Sequence, residues 1–483
     1  MTNSSGPELP EGRSLELDPE QMRRAGYAVV DSVVDRWVNI RDRPAVRTAS
    51  RAEMEARLAE PVPLQGRSFE EILERFWADI EPFSGAIDHP RFFGFIPSSP
   101  TWASVLGDWL ATGCNFFQGT WLASAGPSQI EINLVNWFLH WFGFPEVEGA
   151  GLLTSGGSAA NLLGLAVARE AHLDGLPRGG AAYCSAQTHT ATMRAFRLLG
   201  FPDERLHGLP ADEHGRLRPD DVRRQIEADR KIGHRPFCLI ANAGTTNTGA
   251  VDPLHELADL CAEEGLWLHV DGAYGAFAQL TTRGREQLSG IERADSLVLD
   301  PHKWFYTGYE CGCLLVRDAA MLLKTFRVRP DYLQDIESFA GEVNFADYGM
   351  QLTRRSRALA VWLSIQAHGL ETLTAAVDHT LDLAEFAAQY VRSQPGLELV
   401  AHRGLGIMCF RYVGDPRLSD SRADEINAAA VRQTQKEGEF MLSSTLLDGN
   451  YVVRLCPLNY RSTEKDVTDA VDELTRVARK VAS

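Results

Sequence analysis

Three short apolar runs in the middle of the chain constrain the fold most strongly. They cover residues 237–243, 266–270 and 296–299, and Gly, Asp or Pro residues bound each of them. Runs of this kind are typical of strands that are buried on both faces of a largely parallel sheet. Between the first two runs, residues 253–264 place their leucines on one face of a predicted helix. Strand, helix and strand at this spacing predict a doubly wound α/β fold.

Helical patterns precede this central region. From Asp18 to Trp37, apolar residues recur at three- and four-residue steps, and residues 69–76 form a second predicted amphipathic helix. These helices carry too little apolar surface for a core of their own. The sequence therefore predicts an N-terminal helical segment, residues 1–95, that packs on something else, such as a second subunit.

The pattern changes again after the central region. Two long helical stretches and two later apolar strands follow it, at 359–367, 373–391, 407–412 and 451–456. This order predicts a large α/β domain at 96–370 and a small α+β domain at 371–483.

Charge and composition exclude several classes of protein. The 48 Lys and Arg residues against 65 Asp and Glu residues give a net charge of −17, which argues against nucleic-acid or anionic-membrane partners. No apolar run approaches the ~20 residues that a membrane span needs. Eight cysteines in 483 residues are too sparse for a disulfide scaffold, and Cys311 and Cys313 are predicted to be buried strand thiols rather than metal ligands. A reducing cytoplasm is the expected compartment.

A glycine pair at the start of a predicted helix is the first element with candidate chemistry. Gly156, Gly157 and Ser158 lie between an apolar stretch, 152–153, and an apolar helix that follows. Glycines let backbone amides approach an anion, the serine adds a hydroxyl, and the helix N-terminus adds partial positive charge. This suits a phosphate group, although the motif alone is more typical of a plain strand-to-helix turn.

An acidic and a basic residue follow two of the predicted buried strands. Asp271 comes directly after the run 266–270, and Lys303 follows the run 296–299. Ligands of parallel α/β sheets gather at the carboxyl ends of strands. A buried carboxylate there needs a cationic partner, and a lysine held in a desolvated pocket can form a Schiff base. Taken singly, Asp271 is more typical of a turn cap and Lys303 of a solvated loop.

The three elements together match the needs of pyridoxal 5'-phosphate (PLP). The phosphate takes the helix end, the pyridine nitrogen takes a carboxylate that keeps it protonated, and the aldehyde carbon takes the lysine. Their order on one parallel sheet therefore predicts PLP as the cofactor.

The chain resembles the group II PLP-dependent decarboxylases, and most of all the aromatic-L-amino-acid decarboxylases. The resemblance extends from about Met22 to the end of the chain. It rests on Asp-Pro-His-Lys-Trp at 300–304, Val-Asp-Gly-Ala-Tyr at 270–274 and His-Pro-Arg-Phe-Phe-Gly-Phe-Ile-Pro at 89–97. It implies the α/β architecture of fold-type I PLP enzymes, with a mostly parallel seven-stranded sheet, and a homodimer whose subunits share the active site.

The resemblance also implies individual roles. Lys303 would hold the cofactor, Asp271 would pair with its pyridine nitrogen, and His189 would stack on its ring. Tyr332, in a polar and aperiodic lid at 327–347, would deliver a proton to the substrate. The other implied cofactor contacts are Gly157, Ser158, Thr246, Ala273, Asp300 and His302. Asp300 is Asn in the animal enzymes, so this carboxylate is expected to accept from a neighbouring backbone amide or serine rather than to touch the phosphate.

The substrate is predicted from residues that align with the aromatic slot of the family: Phe95, Pro97, Ser98, Gly119 and Thr353. Apolar walls favour an aromatic side chain and disfavour glutamate. Gly119 stands where relatives often have Phe and predicts room for an indole ring, whereas Thr353 favours a phenyl ring. The two indications conflict, and the ring type stays open.

The resulting prediction is decarboxylation of an aromatic L-amino acid to the arylalkylamine and CO2. An aldehyde synthase, which decarboxylates and then deaminates oxidatively, is an alternative, but those relatives typically have Phe where this chain has Tyr332. A decarboxylase of a non-aromatic amino acid is a second alternative. An inactive homologue is a third, and the filled cofactor positions argue against it.

Overall fold

The computed structural model describes residues 15–97, 99–328, 341–414 and 416–483. The described N-terminal part contains the α-helices α1 (Pro19–Val38), α2 (Arg51–Leu58) and α3 (Phe69–Arg75). The helix predicted from Asp18 is confirmed, and it begins at a capping box in which the Asp18 carboxylate accepts from two backbone amides. The helix predicted at 69–76 is confirmed as well. None of the three helices has a buried residue.

Two further helices lead into the sheet. They are α4 (Trp102–Gly113) and α5 (Trp121–Trp141), and the inner face of α5 is buried through Leu134, Phe138 and Leu139. These side chains belong to the main hydrophobic core, which also takes in the strands that follow.

The central sheet has seven strands in the order β1-β7-β6-β5-β4-β2-β3. The strands are β1 (Ala150–Thr154), β2 (Gly180–Ser185), β3 (Leu206–Leu209), β4 (Arg235–Asn242), β5 (Trp267–Asp271), β6 (Ser296–Leu299) and β7 (Gly312–Val316). Only β7 runs antiparallel to its neighbours, so the predicted mostly parallel sheet of seven strands is confirmed. The three apolar runs correspond to β4, β5 and β6, which are buried almost throughout.

Helices cover both faces of this sheet. They are α6 (Gly157–Leu173), α7 (Thr190–Leu198), α8 (Pro219–Lys231), α9 (Leu254–Glu264), α10 (Thr282–Gln287) and α11 (Ala319–Phe326). The predicted crossover helix is α9, and its leucines are buried. Cys313 lies in β7 and Cys311 directly before it, and both thiols are buried as predicted. Burial raises the pKa of each thiol. No cluster of metal-ligating side chains occurs within the described residues.

A long helix connects the sheet to the C-terminal domain. This helix, α12 (Ala358–Ser393), joins the two predicted helices and breaks at Gly369, whose φ of 74° is favourable for glycine. The elements that follow are β8 (Leu397–His402), β9 (Met408–Tyr412), α13 (Asp420–Glu437), β10 (Ser443–Leu447), β11 (Asn450–Leu455) and α14 (Glu464–Ala482). The four strands form an antiparallel sheet in the order β10-β11-β9-β8, which confirms the small α+β domain. Within the described part of the chain, no helix is long and apolar enough to cross a membrane.

The register of the large sheet brings the sequence motifs together. Strands β5 and β6 are parallel neighbours, and Asp271 at the end of β5 pairs with Val298. Asp300 and Lys303 therefore follow β6 at the same edge of the sheet. Strand β1 ends beside Gly312 of β7, which places the start of α6 at this edge too.

Candidate active site

A cavity of about 490 Å³ opens at the carboxyl edge of the large sheet. It contains every residue that the sequence predicts around the cofactor: Gly157, Ser158, His189, Thr246, Asp271, Ala273, Asp300, His302 and Lys303. Several lining residues were not predicted, among them Asn161, Asn242, Tyr274, Tyr309 and Glu310. Tyr274 lies in the motif at 270–274 but was given no role, whereas Asn161, Asn242, Tyr309 and Glu310 reach the cavity through the packing of α6, β4 and the loop before β7.

The glycine-rich end of the cavity leaves no space for side chains. A Cβ on Gly157 would lie 2.8 Å from Asp300 Oδ2 and 2.9 Å from Ala273 Cβ, and a Cβ on Gly312 would lie 2.5 Å from Gly156 Cα. Helix α6 begins here and has no side-chain cap at its N-terminus. The first backbone amides of a helix, with its partial positive charge, form an anion-binding surface. This end of the cavity fits a phosphate group.

The Asp271 carboxylate is buried and oriented from inside the protein. Its Oδ1 accepts from the Ala273 amide at 3.1 Å, and its Oδ2 accepts from Asn161 Nδ2 at 3.1 Å. Among the described residues it forms no ion pair with a lysine, arginine or histidine. A buried carboxylate without a cation is unfavourable, so the site fits a ligand that brings a cationic nitrogen.

Lys303 and Asp300 form an ion pair in the same cavity. Lys303 Nζ lies 2.8 Å from Asp300 Oδ2, and His302 Nε2 lies 3.8 Å from the same oxygen. No backbone amide or serine of the described chain donates to the carboxylate, and its Oδ1 has no hydrogen-bond partner there. The expectation that Asp300 accepts from an amide or serine is therefore wrong, because the amine of Lys303, three residues later, is the nearer donor.

Two histidines of the cavity are held by backbone groups. His189 caps α7, and its Nδ1 accepts from the Ala191 amide at 3.2 Å. His302 Nδ1 lies 2.7 Å from the Cys311 carbonyl. Loss of contact with water lowers the pKa of both rings. Both imidazoles are therefore neutral around pH 7, and the His189 ring can lie against a flat ligand as an uncharged surface.

Thr246 is fixed by the small domain. Its carbonyl accepts from Arg454 Nη2, and Arg454 Nε also donates to the Asn247 carbonyl at 3.0 Å. Arg454 lies in β11 and is buried. The small domain thus holds one rim of the cavity in place.

The residues predicted to bind substrate do not line this cavity. Phe95 and Thr353 are exposed, and Pro97 and Gly119 are buried elsewhere. Ser98 and Tyr332 lie outside the described residues. A Cβ on Gly119 would lie 1.9 Å from the Leu352 carbonyl oxygen. The expectation that Gly119 leaves room for an indole ring is therefore wrong, because the backbone of Leu352 fills that space.

A buried ion pair behind this region was missed by the sequence analysis. Arg354 Nη2 donates to Glu131 Oε1 at 2.6 Å and to the Leu153 carbonyl at 2.8 Å, and both ionic side chains are almost fully buried. Glu131 Oε1 also accepts from the Leu153 amide at 2.8 Å. The pair connects α5, β1 and the segment before α12.

Comparison with known proteins identifies the family. The family model described as "Pyridoxal-dependent decarboxylase conserved domain" matches residues 52–413. The chain is 40% identical to an aromatic-L-amino-acid decarboxylase of Bacillus atrophaeus over 470 residues, which cover 97% of this chain and 98% of the relative. The chain belongs to the pyridoxal-dependent decarboxylase family, and it is a PLP-dependent carboxy-lyase.

Solved structures of relatives have the same fold. The structure of Oryza sativa TDC with PLP and tryptamine matches with a TM-score of 0.92 at 26% identity, over 98% of this chain and 100% of that one. The structure of Rhodiola rosea 4-hydroxyphenylacetaldehyde synthase matches with a TM-score of 0.90 at 25% identity, over 97% of this chain and 100% of that one.

The cavity agrees with the cofactor of the family at three separate points. The helix start at Gly157 suits the phosphate, the cation-free carboxylate of Asp271 suits the pyridine nitrogen, and the Lys303 amine suits the aldehyde carbon. The residues present therefore fit PLP.

Proposed function

We propose that the protein removes the carboxyl group of an aromatic L-amino acid and releases the arylalkylamine and CO2. One observation carries this most strongly: the buried Asp271 carboxylate, unpaired within the described chain, faces the same cavity as Lys303. A pyridine nitrogen supplies the missing cation and the lysine supplies the covalent anchor. The names of the Bacillus and Oryza relatives, together with the tryptamine in the Oryza structure, support an aromatic substrate.

In this proposal, each wall of the cavity contacts a different part of the cofactor. Gly157, Ser158 and the first turn of α6 hold the phosphate, with His302 beside it. Ala273 packs against the ring from one side and the neutral His189 from the other. Thr246, held by Arg454, contacts the edge of the ring. Asp300 keeps the Lys303 amine in position until the cofactor binds.

When bound, PLP supplies the electron sink that takes up the electron pair left by CO2. The chain supplies the rest. Asp271 holds a proton on the pyridine nitrogen, which keeps that sink effective. Tyr332 delivers a proton to the substrate carbon, as a general acid on the loop that the family uses for this step. His189 excludes water from one face of the site.

We also propose that the active site is completed by a second copy of the chain. Helices α1 and α3 leave Tyr27, Phe69 and Ile72 exposed, and α4 leaves Trp109 and Leu110 more than half exposed. An exposed apolar surface of this extent is typical of a subunit interface. The predicted segment 1–95 would pack on the partner subunit, between the large domain at 96–370 and its counterpart.

The substrate residues are then divided between the two subunits. Phe95 lies near the rim of the cavity of its own chain, because its amide and Arg454 Nη1 both donate to Ser443 Oγ. Pro97 and Ser98 follow it along the chain. Thr353 is exposed and Gly119 adjoins it, so we assign these two to the cavity of the partner. Since the space above Gly119 is filled, Thr353 remains as the guide to the ring, and it favours phenyl over indole.

Eight unpaired cysteines, all but Cys114 buried, support a reducing compartment such as the cytoplasm as the place of action.

The test is a product assay with the purified enzyme and PLP. Phenylalanine, tyrosine, dihydroxyphenylalanine, tryptophan and 5-hydroxytryptophan are supplied in turn, with glutamate as a non-aromatic substrate. CO2, amine, aldehyde and hydrogen peroxide are measured in each reaction. We expect amine and CO2 in equal amounts from at least one aromatic substrate, and none from glutamate. Aldehyde and peroxide in place of amine would identify an aldehyde synthase instead.

Two lysine variants serve as controls of the assay. Lys303→Ala should release no CO2 from any substrate, because the cofactor has lost its anchor. Lys324→Ala removes an exposed lysine that pairs with Glu170 away from the cavity, and it should keep wild-type activity. Activity retained in Lys303→Ala would contradict the proposed function.

A further inference from the structure

A continuous row of buried polar side chains leads away from Asp271 into the protein. Trp267, His269 and Asp271 alternate along β5, so their side chains project from the same face of the strand. Helix α6 packs on that face and contributes Asn161, and the neighbouring strand β6 contributes Ser296 beside it. Neither Trp267, His269 nor Ser296 lines the cavity.

Consecutive members of this row are within hydrogen-bond distance. Trp267 Nε1 lies 2.8 Å from Ser296 Oγ, and Ser296 Oγ lies 2.7 Å from His269 Nδ1. His269 Nε2 lies 2.9 Å from Asn161 Oδ1. Asn161 Nδ2 lies 3.1 Å from Asp271 Oδ2 and 2.9 Å from the Gly157 carbonyl.

The direction of each hydrogen bond follows from its two ends. Asn161 faces two pure acceptors, the Asp271 carboxylate and the Gly157 carbonyl, so its amide nitrogen points to them and its oxygen points to His269. His269 Nε2 must then carry a hydrogen. The other ring nitrogen accepts from Ser296, whose oxygen in turn accepts from Trp267, a residue that can only donate.

His269 is fully buried, and its burial lowers its pKa to about 4. The ring is therefore neutral around pH 7, which agrees with one donating and one accepting nitrogen. A β-carbon on Gly164 would lie 2.5 Å from His269 Cε1, so the ring is packed closely and keeps one orientation.

We propose that Asn161 and His269 are positioning residues that keep the proton of the cofactor on its pyridine nitrogen rather than on Asp271. A carboxylate that accepts oriented hydrogen bonds is a weaker base than one without them. The row aims a donor at Asp271 Oδ2, while the Ala273 amide occupies Oδ1. Without the row, Asp271 becomes more basic and rotates more freely, and the shared proton moves toward the carboxylate. This inference rests on the role of Asp271 in the proposed function.

Two substitutions of His269 separate this role from simple packing. His269→Gln places an amide nitrogen where Nε2 was and keeps a donor toward Asn161. His269→Asn reaches only as far as Nδ1 and loses that donor, although it buries a polar group of the same kind. Ser296→Ala removes the hydrogen bond that sets the tautomer. Tyr183→Phe is the matched control, because Tyr183 lies in β2 of the same sheet and the change removes its buried hydrogen bond to Asp229 of α8, outside the cavity.

The measurements are the dissociation constant of PLP and the 15N chemical shift of bound PLP labelled at the pyridine nitrogen. The wild type, His269→Gln and Tyr183→Phe should give a protonated nitrogen. His269→Asn should move the signal toward the unprotonated value and weaken PLP binding about tenfold, as expected for the loss of one hydrogen bond to a charged group. Ser296→Ala should shift the nitrogen signal and weaken PLP binding in the same direction, but by a smaller amount.

Asp271→Asn distinguishes a failure of the role of Asp271 from a failure of the positioning role of Asn161 and His269. If it leaves the nitrogen signal and the PLP affinity unchanged, the role of Asp271 fails, and with it the proposed function. If it changes both while His269→Asn behaves like the wild type, the role of Asp271 stands and the positioning role of Asn161 and His269 is overturned. An equal effect of His269→Gln and His269→Asn would also overturn it, because packing alone would then explain both.

Discussion

The carboxyl edge of the large sheet and the N-terminal helices differ in how far their side chains are buried. At the sheet edge, Asp271, Asp300 and Asn161 are buried and linked to partners within the same chain. Along α1, α2 and α3, no residue is buried, and apolar side chains face outward. This difference agrees with the proposal that one chain completes the cofactor half of the site and that a second chain completes the substrate half.

The largest effect is expected for Tyr332→Phe, which tests the substrate half. Phenylalanine retains the aromatic ring but has no acidic proton, so amine formation should fall by ~10²–10⁴-fold. CO2 release should fall less, and aldehyde, ammonia and hydrogen peroxide should appear as oxygen reacts with the unprotonated carbon. Amine, aldehyde and peroxide are measured side by side with the wild type. Wild-type amine formation without aldehyde would show that Tyr332 is not the donor.

The second-largest effect is expected when charges are placed on the proposed subunit interface. This change should impair the substrate half of the site and leave the cofactor half intact. Tyr27→Asp combined with Ile72→Asp places charges on the exposed apolar surface, so the dimer should dissociate. Turnover should drop by ~10²-fold because substrate contacts are misplaced, whereas PLP binding should persist. Gel filtration, turnover and PLP titration are compared with Tyr451→Asp, which changes a partly buried aromatic residue in the small domain. A fully active monomer would contradict the shared site.

Asp271→Asn tests the cofactor half. The amide cannot hold the pyridine proton, and loss of a charged contact in a dry site should slow turnover at least about tenfold. The folded dimer should persist. Asp229→Asn is the control, since Asp229 is equally buried but bonds to Tyr183 outside the cavity. Turnover of Asp271→Asn within twofold of the wild type would exclude the role, and an equal loss in Asp229→Asn would point to general destabilisation.

The smallest effect is a pH dependence of stability. Burial lowers the pKa of His89 and of His269 to about 4, whereas an unfolded histidine titrates near 6.5. Between these values the unfolded chain binds more protons than the folded one. The free energy of unfolding should therefore fall as the pH is lowered from about 6.5 to about 4, by up to ~1.4 kcal/mol per pH unit for each histidine.

Urea unfolding at pH 7, 6 and 5 measures this slope. His269→Gln removes one of the two titrations and should make the slope shallower. A slope that is identical in the wild type and His269→Gln would show that His269 is not held neutral.

Much of the cofactor half could be predicted from the sequence because its information is local. The apolar runs at 237–243, 266–270 and 296–299 predict strands. Because parallel strands end at the same edge of the sheet, the residues at or just after these strand ends are expected at the carboxyl edge. Asp271 and Lys303 are therefore placed at this edge by position, and their combination with the glycine-rich helix start predicts the cofactor. The hydrogen bond between Asn161 and Asp271 was not predictable, because it joins residues 110 positions apart.

The substrate half was predicted less well, for a physical reason. The sequence shows that Gly119 has no side chain, but it does not show which group lies next to it. In the structure, the Leu352 carbonyl fills the space that a side chain would occupy. The Arg354–Glu131 pair joins residues 223 positions apart and has no local pattern. Asp300 was assigned a backbone or serine donor, but its carboxylate pairs with the amine of Lys303, three residues later.

We expect Lys303 to hold the cofactor in the cavity beside Asp271. The most direct measurement is reduction of the PLP-loaded enzyme with borohydride, followed by digestion and mass spectrometry of the peptides. We expect a pyridoxyl phosphate group on the peptide that contains Lys303 and on no other lysine peptide, with Lys324 and Lys231 unmodified in the same digest. A modification at a different lysine, or none at Lys303 in an enzyme that still releases CO2, would contradict it.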